Sequence, residues 1–237
     1  MDGNFTKLFD IKKLLNLINI DSIYCSNLLS DKRKYFLPND ILQILHPTYI
    51  GLGYLNIKFD HNKKIFIDLP NLTDDFIYDL FFAGAVSDSF KIRKKVISDI
   101  KRNNFLNNFN IYIKTFNPGA QNRPLTPTEY FEKLGQSKLC LDPCGQHDTH
   151  STRSLELLLL GRLPIVDYGF KNFYLSTHFS SYLKYFSFDD MEQLINLVKK
   201  YQNTNLMKEI ALELKDIMLT FYNPATQGEI ILKNLKI

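Results

Sequence analysis

The stretch from Tyr130 to Asp167, YFEKLGQSKLCLDPCGQHDTHSTRSLELLLLGRLPIVD, constrains the fold more than any other part of the chain. It reads as helix, strand, polar loop, helix, strand, which is a βαβ unit. Thr126 and Glu129 stand at capping-box spacing, Pro127 fills the first helical position and Gly135 ends the run, so a short helix is expected there. Lys138 to Leu141 is a short apolar strand, which Pro143 and Gly145 break into a loop. Ser151 and Thr152 are natural N-caps for the run Arg153 to Leu160, and Gly161 marks its end before Leu163, Pro164, Ile165 and Val166 enter a second buried strand. A loop that leaves a parallel strand and enters a helix brings free backbone N–H groups and the positive end of the helix dipole together, an arrangement suited to an anion.

The alternation continues upstream and downstream. Phe81 to Ala83 predicts a strand, followed by a loop around Gly84 and Ser87, a helix with Ile92, Val96, Ile97 and Ile100 inward, and a strand from Asn110 to Ile113. Four strands joined by helices imply a parallel sheet, with Tyr185 to Phe188 as a candidate fifth strand. Asp189 and Glu192 form a capping-box-like pair before a helix with Met191, Leu194, Ile195 and Val198 on one face. A longer helix carrying Leu206, Ile210, Leu214 and Ile217 follows, and Asn223-Pro224 breaks the chain before a last short helix. Towards the start, Leu8, Ile11, Leu15 and Ile18 share a helical face, and Ile23 to Cys25 and Ile65 to Ile67 are candidate strands. Residues 34 to 75 show no long periodic segment.

The same residues resemble a known family. An aromatic-led helix, Ser137-Lys138, an apolar strand, Pro143, Gly145, then Asp148, Thr149, Ser151, Arg153 and Glu156 before Gly161 and Pro164 is similar to the donor-binding domain of exostosin-like glycosyltransferases, within the wider GT-B group. The segment Phe81 to Ile100, FFAGAVSDSFKIRKKVISDI, resembles the strand, glycine loop and Ile-Arg helix that open that domain. One position departs from the pattern: Cys144 stands before the loop glycine, where the family usually has Arg or another residue. The resemblance implies an α/β fold, a Rossmann-like parallel sheet of the GT-B donor-binding type. Residues 76–237 would form the nucleotide-sugar-binding domain with its C-terminal helices, and residues 1–75 a reduced or truncated N-terminal lobe, about half the usual size of a domain.

A nucleotide sugar presents a diphosphate, ribose hydroxyls and a flat base. Arg153 can offer phosphate a bidentate fork, with Ser151, Thr152, Gly145 and nearby amides as neutral donors; its alternative is a surface ion pair with Glu156 at i,i+3. Glu156, one turn deeper, can accept ribose hydroxyls. Both are expected to face the cleft, so that alanine at either position weakens nucleotide binding and spares the fold. Arg93, after the Gly84 loop, is a second phosphate candidate, or one member of a basic face with Lys94 and Lys95. His150 could approach the diphosphate or sugar, or be an ordinary loop histidine; Asp148, by an Asx-type bond, and Pro143 shape the loop. His147, Asp148, His150, Cys140 and Cys144 do not have the spacing of the usual metal sites, so no metal is expected.

The expected reaction is metal-independent, inverting transfer of a sugar from a nucleotide donor, UDP-linked in the first instance, to a hydroxyl acceptor such as a glycan, with no further cofactor. The catalytic base is not identified; Asp60, His46 and His61 are available and nothing ranks them. A donor-binding domain without catalysis, completed by a partner subunit, is the alternative. Composition narrows the rest. The net charge of +4 is spread over short runs such as Lys12-Lys13 and Lys32-Arg33-Lys34, which argues against nucleic acid as a partner. No apolar run approaches a membrane span, the N-terminus lacks the basic start of a signal peptide, and three cysteines suit a reducing compartment, so a cytoplasmic protein is expected.

Overall fold

A computed structural model of the chain describes residues 23–25, 45–47, 58–60, 65–67, 69–70, 72–118, 125–144, 152–168, 178–223, 225–226 and 229. The expected helix over residues 8 to 19 and the last short helix beyond Pro224 fall largely outside these residues. In the first part, β1 (Ile23–Cys25) pairs in parallel with β2 (Leu45–Pro47), and β3 (Lys58–Asp60) pairs antiparallel with β4 (Ile65–Ile67). Strands β1 and β4 coincide with the two candidates read from sequence; β2 and β3 carry no alternation long enough to announce them.

The rest is a five-stranded parallel sheet made of β5 (Tyr78–Ala85), β6 (Ile111–Phe116), β7 (Ser137–Leu141), β8 (Leu163–Asp167) and β9 (Ser187–Phe188). The spatial order is β6-β5-β7-β8-β9. Counted within the sheet this is 2-1-3-4-5, one of the two common doubly wound orders, and its strand order reverses between β5 and β7. The helices are α1 (Lys91–Arg102), α2 (Pro127–Gly135), α3 (Thr152–Leu159), α4 (Leu183–Phe186), α5 (Met191–Lys200) and α6 (Thr204–Phe221). The chain is therefore an α/β protein with a Rossmann-like sheet.

Alternation along β5 builds two cores. Leu80 and Phe82 join Val96, Ile97 and Ile100 of α1, whereas Phe81 and Ala83 join Leu134 of α2 and Cys140 of β7. Residues i and i+2 of a strand share a face, so α1 and α2 cover opposite sides of the sheet. Each of the fully buried aliphatic side chains contributes about 1.5–3 kcal/mol. Helix α3 and the residue after it supply both cores, with Leu155, Leu158 and Leu159 on one side and Leu157 and Leu160 on the other.

The local stop and start signals behave as their chemistry dictates. Thr126 Oγ1 accepts from the Glu129 N–H, and Glu129 Oε2 accepts from the Thr126 N–H at 2.7 Å, a complete capping box with Pro127 behind it. Gly161 has φ of 69° at the end of α3. Its N–H donates to Leu158 O and that of Arg162 to Leu157 O, a Schellman stop in which an L side chain would be strained. The cap of α5 is Asp190, not Asp189: its carboxylate accepts from the Gln193 N–H, and the Gln193 side chain returns to the Asp189 N–H. On α6 the buried stripe is Met207, Ile210, Ala211, Leu214 and Met218, so Leu206 and Ile217 flank the core rather than fill it. On α5, likewise, Leu197 is buried while Met191 and Ile195 are only partly covered.

The lower edge of the sheet, where the strands begin, is tied by one polar knot. Asp79 accepts from Lys138 Nζ at 2.8 Å, from Gln202 Nε2 at 3.0 Å and from the Asn110 N–H at 2.9 Å. Burial alone would raise the Asp79 carboxyl, but these donors outweigh it and hold it below the usual carboxylate range. A depressed carboxyl stabilises the fold above its unfolded pKa, about 3.9, and that stabilisation is lost as pH falls through the folded value. Asp79→Asn is thus expected to cost about 1.5–3 kcal/mol at pH 7 and less at pH 3, below the unfolded pKa, read as urea midpoints. An equal cost at both pH values would show that the charge is not what holds the knot.

Candidate functional site

In doubly wound sheets ligands sit at the carboxyl ends of the strands, at the point where strand order reverses. Here that point lies above the ends of β5 and β7, and two arginines occupy it. Arg93 comes from the first turn of α1, Arg153 from the first turn of α3. The ring of Phe82, buried beneath them, has the Arg153 guanidinium carbon 5.4 Å and the Arg93 carbon 5.9 Å from its centroid. Both distances fall within the range of a cation–π contact.

Gly84 explains how Arg153 gets there. A Cβ at this position would lie 2.9 Å from Phe82 Cζ and 3.1 and 3.3 Å from the two Arg153 Nη atoms. The missing side chain leaves the space over the end of the central strand that the guanidinium fills. Gly84 and Arg153, which the sequence places in two separate motifs, form one contact.

Arg93 is bound differently. Its Nη1 donates to Ala85 O and its Nη2 to Pro143 O, each at 3.1 Å, so one planar fork bridges the ends of the two central strands. The residue is 6% exposed and also lies 4.8 Å from the Phe90 ring centroid. Burial, then the nearby Arg153 charge, push its pKa down to about 10, against the pull of Asp142, Cys144 and Asp167. It remains cationic at neutral pH. Pro143, expected only to shape the loop, supplies a carbonyl to this bridge.

Three carboxylates enclose the arginines. Asp142 and Asp167 are fully buried and Glu156 is 7% exposed. Burial would lower the Arg153 pKa, but Tyr130, Asp142, Glu156 and Cys140 outweigh it and raise it. Asp167 Oδ2 accepts the Cys144 N–H at 2.6 Å, and the Asp142 N–H donates to Ile165 O. Together with the Arg93 bridge, these contacts hold residues 142–144, the start of the loop after β7, at three points. Tyr130 belongs to the same neighbourhood: burial pushes its phenol up to about 12, Arg153 opposes this, and Cys140, Glu156 and Asp142 add to it. Cys140 is a buried strand residue whose thiol burial pushes up to about 12.

The structure thus brings together Arg153, Glu156, Arg93, Gly84 and Pro143. Thr152 opens α3 beside them. Gly145, Asp148, His150 and Ser151 lie outside the described residues. Glu156 is buried against Arg153 and does not face an open cleft, so the expectation that its removal would spare the fold is revised. Sequence reading missed Phe82, Tyr130, Asp142 and Asp167. For the two aspartates a signal existed: each is an acidic residue directly at the carboxyl end of an apolar parallel strand.

Among the described residues no group of His, Cys, Asp and Glu side chains is placed to hold a metal ion, and no helix is long and apolar enough to cross a membrane. A shallow groove of about 340 Å³ follows the exposed face of α1, bordered by Lys91, Lys94, Lys95 and Arg102. There Lys94 pairs with Asp88 at 2.6 Å and Lys95 with Asp99 at 3.9 Å, as on a solvated helix face. Compared with protein-family models, curated proteins and solved structures, the chain gives no match.

Proposed function

We propose that the chain binds a nucleotide-sugar donor over the ends of β5 and β7 and transfers its sugar to a hydroxyl acceptor, as an exostosin-like glycosyltransferase of GT-B type. The observation that carries this reading is the seat of Arg153: first turn of α3, over Gly84, at the strand-order reversal of a parallel sheet. A phosphate there meets a guanidinium and the N-terminal amides of α3 together.

The charge balance refines the class of ligand. Two guanidiniums stand among three buried carboxylates, which disfavours a ligand that is only an anion. A nucleotide sugar offers phosphate oxygens to Arg153 and neutral hydroxyl groups in one molecule, while Glu156 holds the Arg153 guanidinium. Arg93, with both Nη atoms on backbone carbonyls, holds the strand ends that support the site. In this reading Arg153 and the helix dipole neutralise the leaving diphosphate, so transfer proceeds without a divalent ion.

The test is thermal stability against a panel of nucleoside diphosphates and nucleotide sugars, followed by diphosphate release in the presence of acceptor glycans, with and without chelator. A ligand at a hundred times its Kd stabilises the native state by about 2.7 kcal/mol, or roughly 5–11 °C for a chain of this size. Release is expected to persist in chelator. Stabilisation by none of the panel removes the proposed site, and stabilisation without release leaves a donor-binding domain that needs a partner subunit.

A further inference from the structure

An exposed histidine is ordinarily free to change rotamer, but three contacts fix His178. Its backbone N–H donates to Tyr222 Oη at 3.0 Å, its Nδ1 lies 2.9 Å from the same oxygen, and its ring stacks on Phe221 at 3.8 Å with 7° between the planes. Tyr222 is itself buried and stacks on the fully buried Phe179 with ring centroids 5.1 Å apart. The imidazole nevertheless remains exposed. A core tyrosine thus sets the orientation of a surface imidazole, which is the arrangement of a base aligned by a third group.

The fold puts this imidazole on the ligand edge. Helix α6 starts near the lower edge, where Lys208 meets Asp74 at 2.9 Å just before β5. A Cβ on Gly161, the stop of α3, would lie 3.5 Å from Lys215 Cδ, so α6 passes the lower end of α3 at that residue. From Lys215 to Tyr222 is about 10 Å of helix rise, close to the full length of α3, which runs the other way. Helix α6 therefore carries Tyr222 away from the lower edge, in the direction of the edge at which α3 begins. The descending chain agrees, because Tyr182 bonds Glu213, lower on α6, before β9 begins at Ser187. Helix α6 packs on α3 and β8, and β8 lies two strand spacings, about 10 Å, from β5.

We propose that His178 is the base that deprotonates the acceptor hydroxyl, at the opposite end of the ligand from Arg153. The proposal rests on the transferase reading above. Tyr222 Oη has two lone pairs and accepts both the backbone N–H and Nδ1–H of His178, which leaves Nε2 as the unprotonated ring nitrogen. Nε2 takes the hydroxyl proton as the acceptor oxygen bonds to the anomeric carbon. The bond from that carbon to the diphosphate breaks, its electron pair leaves with the diphosphate oxygen, and the imidazolium then returns its proton to water.

Two measurements test it. Nitrogen-15 spectra of the wild-type imidazole, with no ligand added, are expected to show the Nδ1–H tautomer, lost in Tyr222→Phe; an Nε2–H tautomer in the wild type overturns the proposal. His178→Gln keeps an N–H donor for Tyr222 but cannot take a proton. Diphosphate release should fall about 10²- to 10⁴-fold in it while nucleoside diphosphate affinity stays within twofold. Release at the wild-type rate overturns the role of His178 and leaves the transferase reading intact. No release from the wild type with any acceptor overturns both, and a parallel loss of affinity in His178→Gln overturns the separation of His178 from the phosphate end.

Discussion

Arg153→Ala is expected to lower stability by about 3–5 kcal/mol and to weaken nucleotide binding ten- to hundredfold in the same protein. The stability loss follows from what the arginine leaves behind. Asp142 and Glu156 raise its pKa and are themselves buried, so its removal takes a compensating charge from two carboxylates in a medium that solvates them poorly. The contact with Phe82 is lost as well. The binding loss follows from the missing fork over Gly84. The two effects separate in a double variant. Glu156→Gln on the Arg153→Ala background removes one of those charges and should recover about 1–3 kcal/mol of stability while recovering no affinity. Denaturant midpoints and ligand titrations of the three variants decide this. If Arg153→Ala is as stable as the wild type, the guanidinium is a solvated surface group and the buried cluster has no role in the fold.

What could be read from sequence follows the range of each interaction. The capping box of Thr126 and Glu129 and the stop at Gly161 are encoded within a few consecutive residues, so their chemistry is visible without the fold. The parallel sheet was legible because apolar strands and amphipathic helices alternate from Phe81 onwards. The tandem Asp189-Asp190 offered two caps, and only the backbone conformation selects the second. The fate of Arg93 was hidden by its neighbours: KIRKK reads as a basic run, yet Arg93, Val96, Ile97 and Ile100 fall at i, i+3, i+4 and i+7 and share the buried face. Periodicity carried that signal and charge masked it. The Asp167 bond to the Cys144 N–H and the Tyr222 contact with His178 join residues 23 and 44 positions apart, and no local pattern announces either.

Arg93→Met is expected to cost about 2–6 kcal/mol, because the Ala85 and Pro143 carbonyls each lose a buried donor, worth about 1–3 kcal/mol apiece. Comparison with Arg93→Lys separates two roles for the side chain. A phosphate is served by a point charge, and lysine would keep much of an affinity that depended on one. A bridge between two carbonyls needs the planar fork, which a single ammonium does not reproduce. The geometry favours the bridge, since both Nη atoms are committed to backbone and the residue is 6% exposed. Arg93→Lys should therefore lose at least half of the stability that Arg93→Met loses. The Val86 and Cys144 amides, at the ends of the bridged strands, should exchange hydrogen faster in both variants. Any loss of nucleotide affinity should then track that loosening from one variant to the other. Wild-type stability and exchange in Arg93→Met, combined with lost affinity, would instead place Arg93 directly on the phosphate.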